Sequence, residues 1–169
     1  MALPSALKNY SAMMGFPESK TMERIFEVLF DTDEAMTLAA ALPGKTDEIV
    51  ARTGFAADRV EALLRDLIMK GAIGVKMTEP DYYRLFPAMI ELRDSSVLNP
   101  DAPQELFELW ETLLTTEMEQ LIPLARQMKI DPMTRVVPIE RSVEAQNRVL
   151  DIDAARKIFK DAELITVLP

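Results

Sequence analysis

The sequence predicts a mainly α fold: a winged helix-turn-helix domain with a long helix and a small α/β C-terminal appendage. Three observations carry that class. Residues 46–86, TDEIVARTGFAADRVEALLRDLIMKGAIGVKMTEPDYYRLF, read as a short helix, a tight turn, a longer helix and a β-hairpin. Apolar residues recur at helical spacing both before and after this stretch. Strand-like alternation is confined to short runs.

Taken in order, residues 1–18 form a leader, loose or partly helical, punctuated by Pro4, Gly15 and Pro17. The winged-helix domain spans 19–93. Its first scaffold helix runs from Ser19 to Phe30, with Met22, Ile25, Phe26, Leu29 and Phe30 on one face. A second runs from Asp31 to Leu42, capped by Thr32 or Asp33 and stopped by Pro43-Gly44. Thr46 then suits an N-cap, because its hydroxyl can accept a bond from an orphan backbone N–H. Asp47 and Glu48 suit the positive end of that helix dipole. Gly54 stands where a helix end wants a left-handed residue. Phe55 and Val60 have the spacing of a hydrophobic staple, and Val60, Leu63, Leu64, Leu67 and Ile68 give the next helix its buried face. Ala56 at the N-cap forgoes about 1 kcal/mol against Ser or Asp. Ile73, Val75 and Met77 alternate, Glu79-Pro80-Asp81 is read as the turn, and Tyr83 and Leu85 alternate back.

Residues 94–103, with two prolines and two serines, read as a linker. Gln104 to Met128 is expected as one long helix, kinked at Pro123, with a stripe of Phe107, Trp110, Leu114, Met118, Leu121 and Ala125. Arg135–Ile139 and Ile165–Leu168 read as strands, with a helix from about Asp153 to Ala162 between them. The long helix carries more apolar surface than one thin domain covers, so a homodimer is expected.

Composition narrows the chemistry. The 169 residues are 49% hydrophobic, enough for one ordinary core and an appendage. Cysteine and histidine are both absent. That excludes disulfides, thiol catalysis and cysteine-held metals here, and removes the commonest general base and zinc ligand. No apolar run approaches the ~20 residues of a membrane helix, and a cytoplasmic, non-catalytic protein is expected. Asp31-Thr32-Asp33-Glu34 lacks the glycine turn and spaced Glu of a calcium loop, so the acids are read as helix-capping residues.

Charge bears on the partner. Between residues 45 and 86, Lys45, Arg52, Arg59, Arg65, Lys70, Lys76 and Arg84 are matched by Asp47, Glu48, Asp58, Glu61, Asp66, Glu79 and Asp81. The whole chain carries a formal charge of −9. DNA binding rests on neutralising phosphates, and a reading helix that leads with Asp58 and Glu61 opposes it. Arg59, Arg65, Lys70, Lys76 and Arg84 are the candidate contacts to a partner or to nucleic acid. A protein-docking role is favoured over DNA reading. A third alternative is a small-molecule sensor with its pocket between the long helix and the winged helix.

The last third adds a resemblance. Arg135-Val136-Val137-Pro138-Ile139-Glu140, then Asn147-Arg148-Val149-Leu150, then Ala162-Glu163-Leu164-Ile165-Thr166-Val167-Leu168-Pro169 resemble the segment upstream of the clusters in bacterial 4Fe-4S ferredoxin-type proteins with an N-terminal winged helix. The resemblance covers most of residues 20–169. It implies a complete electron-transfer protein holding 4Fe-4S clusters, with this region as an adaptor that docks or dimerises the cluster domain. The sequence ends at Pro169, where that family's first cysteines would begin, so no cluster ligand carries over and no cofactor is assigned within these residues.

Overall fold

Side-chain caps and buried apolar faces set the helices of the computed structural model, which describes residues 3–119 and the single positions 127 and 160. Helix α1 (Ser5–Met13) is followed by α2 (Lys20–Leu29) and α3 (Asp33–Ala40). The Ser19 hydroxyl accepts from the Met22 N–H at 2.9 Å, and that of Thr32 accepts from the Ala35 N–H at 3.1 Å. Each satisfies one of the four donors a helix start leaves open. A two-residue strand β1 (Gly44–Lys45) leads into α4 (Thr46–Thr53), and α5 (Ala57–Met69) follows Gly54, whose φ of 72° is left-handed. Strands β2 (Gly74–Lys76) and β3 (Glu79–Arg84) form a hairpin, and α6 (Met89–Val97) and α7 (Gln104–Thr112) complete the set. The described residues are thus mainly helical, with one small antiparallel sheet of order β1-β3-β2.

Several expected boundaries move. The cap of α4 is Lys45, one residue before Thr46; its N–H is taken by the Glu48 carboxylate at 3.1 Å. The hairpin turns at Met77-Thr78, and Glu79-Pro80-Asp81 already belong to β3. Pro80 is tolerated because β1 pairs only as far as Tyr82, so the missing Pro80 donor falls outside that ladder. Ile68 is 38% exposed, leaving Val60, Leu63, Leu64 and Leu67 as the buried face of α5.

One core joins all the helices. Phe26 and Leu29 of α2 lie in it with Leu38 of α3, Ile49 of α4, Leu67 of α5 and Leu92 of α6. The expected leader belongs to it too: Leu7 is fully buried, and Tyr10 stacks on Phe26 with ring centroids 5.5 Å apart. Helix α6 runs four residues into the expected linker, through Val97. There Ser96 is buried and accepts the Trp110 indole N–H at 3.1 Å.

Helix α7 buries Leu106 and Trp110, and Leu113 just after it is buried too, while Phe107 and Met118 of the expected stripe are 40% and 39% exposed. From Leu113 to Glu117 the winding loosens into a π turn, in which the Met118 N–H donates to the Leu113 carbonyl. The remainder of the expected long helix with Pro123, the strands at 135–139 and 165–168 and the helix at 153–162 lie outside the described residues. No described helix is long and apolar enough to cross a membrane.

Candidate interaction surface

The α4–turn–α5 unit and the hairpin present the five candidate cations, and the fold distributes them rather than gathering them. Arg59, on the first turns of α5, donates through Nε to Glu34 of α3 at 3.0 Å and through a second, shorter contact from Nη2. Those hydrogen bonds and the Glu34 charge raise its pKa further above the ordinary guanidinium value. Lys70, at the end of α5, lies 2.8 Å from both Asp31 and Asp66. Partial burial opposes its charge, but the two carboxylates outweigh burial and leave its pKa raised. Lys76 pairs with Glu79 across the hairpin turn and lies 5.4 Å from the Tyr82 ring centroid.

Two further cations of the block are also engaged. Lys45 pairs with Asp81 at 3.1 Å, which raises its pKa through a hydrogen bond and direct attraction. Arg52 donates to the Ala41 and Pro43 carbonyls and pairs with Glu48, tying α4 to the end of α3. Its positioning role was not evident from the sequence, because its acceptors are backbone carbonyls whose place depends on how α3 ends.

Arg65 and Arg84 are left, with no acidic partner among the described residues. They do not combine. Arg65 shares a shallow recess with Thr46, Glu61 and Tyr83. Arg84 opens on a different recess, beside Lys76 and Tyr82. Tyr83 and Arg84 are neighbours on β3, so strand alternation sends their side chains to opposite faces. The exposed side of α5 carries Asp58, Glu61 and Ala62 alongside Arg65. The surface is a mosaic of closed ion pairs and free acids. It is not a cationic ridge.

Between α5 and the start of α7 lies a cleft of about 270 Å³, the place where the sequence suggested a sensor pocket. Asp31, Asp66, Asp101 and Lys70 line it beside Leu106. Comparison of the chain with family models, curated proteins and solved structures finds no match to any of the three.

Proposed function

We propose that residues 33–84 form a winged helix-turn-helix used as a non-catalytic docking and dimerisation module, the adaptor of an iron–sulfur electron-transfer protein. The element order α3-β1-α4-α5-β2-β3 and the sheet order β1-β3-β2 support the winged-helix part. One observation carries the choice of protein over DNA. Lys45, Arg52, Arg59, Lys70 and Lys76 already spend their charge on carboxylates of this chain. Counterion release from DNA needs cations free to meet phosphates, and an intrachain pair must first be broken. The exposed acids at the start of α5 add repulsion where base contacts usually fall.

The iron–sulfur part rests on the resemblance of residues 135–169, and the dimer on two apolar side chains that remain exposed, Phe107 of α7 and Met118 after the π turn. Fluorescence anisotropy of a labelled random-sequence duplex at low salt tests the DNA question. No binding is expected in the ~10⁻⁴–10⁻⁶ M range of ordinary non-specific binders. Saturable binding that falls with salt and weakens on Arg65→Ala would overturn the docking reading in favour of a transcriptional regulator. Light scattering on the eluted protein should return twice the chain mass, and a monomer mass would remove the dimer.

A further inference from the structure

An apolar recess bearing unspent positive charge lies away from the α5 surface, between α1 and the hairpin. Its volume is about 530 Å³, within the ~300–1,000 Å³ of small-molecule sites. Met13 of α1, Leu42, Pro43, Tyr82 and Phe86 form its walls. Tyr82 and Arg84 alternate on β3 and turn to this side, and Leu85 and Phe86, just past the strand, join them in the lining. The wall is fixed from behind: the Tyr10 hydroxyl donates to the Phe86 carbonyl at 2.7 Å, spanning 76 residues of sequence. Met13 is 84% exposed, an unbranched thioether able to fold over whatever enters.

Charge decides what enters. Arg84 has no acceptor among the described residues, and Lys76 and the Asn9 amide stand on the same recess. Among the described residues, not one Asp or Glu lines it. That is unusual here, because 28 of the 169 residues are acidic. Four other recesses each hold at least one: Glu27, Glu23, Asp66 and Glu61 respectively. Glu79 lies nearby but is paired with Lys76, and Glu91 acts on the Tyr10 hydroxyl from outside the lining.

We propose that this recess binds a small amphipathic monocarboxylate with an aryl or medium-chain alkyl body. The body lies against Pro43, Tyr82 and Phe86. The carboxylate meets the Arg84 fork, whose paired N–H groups match its two oxygens, with Asn9 donating at the rim. This assignment goes beyond the docking role and does not depend on it, since it uses the opposite face of β3.

Isothermal titration calorimetry of the full chain with 4-phenylbutyrate and with octanoate tests it. Saturable one-site binding is expected, with 4-phenylbutyramide weaker by about tenfold. Arg84→Gln should weaken both carboxylates by about tenfold and leave the amide unchanged. Arg65→Gln, on the other face, should change nothing. Ala6→Trp, an exposed α1 position at the recess mouth, should block all three probes while far-UV circular dichroism stays native. Failure of both carboxylates to saturate, or an Arg84→Gln protein that binds them as tightly as before, would overturn the assignment.

Discussion

Two glycines end two consecutive turns in the same backbone conformation and sit in opposite surroundings. Gly54, after α4, has φ 72°, and Gly71, after α5, has φ 64°. A Cβ built on Gly54 would meet nothing within 4 Å, whereas one on Gly71 would lie 2.2 Å from the Ser95 carbonyl oxygen of α6. The first glycine answers a local need, a left-handed residue between two helices. The second answers that need and a packing need together, because α6 passes directly over it. The turn between α4 and α5 is therefore written into adjacent residues. The seam between the α5 end and α6 is written across 24 residues of chain.

Substitutions that add one methyl group separate the two. Gly71→Ala should cost roughly 3 kcal/mol or more in urea unfolding, since backbone of α6 must move to admit it. Ser96→Ala probes the same seam from its far side: the buried Trp110 indole N–H loses its acceptor, a loss of about 1–3 kcal/mol. Gly54→Ala should cost only about 1–2 kcal/mol, the intrinsic penalty of left-handed backbone. Equal losses at Gly54 and Gly71 would dissolve the distinction.

The smallest effect at neutral pH comes from Tyr10→Phe, which removes the bond to the Phe86 carbonyl, worth about 1 kcal/mol. Its alkaline behaviour sharpens the picture. Burial, and then the Glu91 charge, hold the Tyr10 phenol well above its usual pKa. The folded chain keeps this proton where the unfolded chain releases it near pH 10. Its contribution is complete below that pH and declines as pH rises further. Melting temperatures from pH 9 to 11 should fall less steeply in Tyr10→Phe. Lys20, Lys45 and Lys70, whose pKa values are also raised by their carboxylate partners, contribute to the slope that remains.

The same division explains what could be read from residues alone. The Ser19 and Thr32 caps, the α4–turn–α5 unit with its uncapped Ala56 start, and the buried face of α5 follow from near neighbours. Strand β1 is only two residues long and is defined by its partners Tyr82 and Tyr83, so no alternation marks it. The stretch at 94–103 has the polarity of a linker, yet Ser95 and Ser96 sit where α6 must approach Gly71 closely. Their small size carried that information, and their polarity masked it. Leu7 and Tyr10 of the leader are core residues through contacts made far along the chain. At the surface the five cations were legible as positions, but the partners of Arg59 and Lys70 lie 25 and 39 residues away. The recess beside Arg84 joins α1 to β3, and no spacing in either segment announces it.

The π turn at Leu113–Glu117 changes how α7 must be counted. Five peptide units there occupy about the arc an α-helix gives to four, so Met118 and Glu119 lag by close to one position, or ~100° of azimuth. The expected stripe of Phe107, Trp110, Leu114 and Met118 thus slips phase between Leu114 and Met118. Among the described residues, a straight partner helix that follows Phe107 therefore meets Met118 about one position out of step.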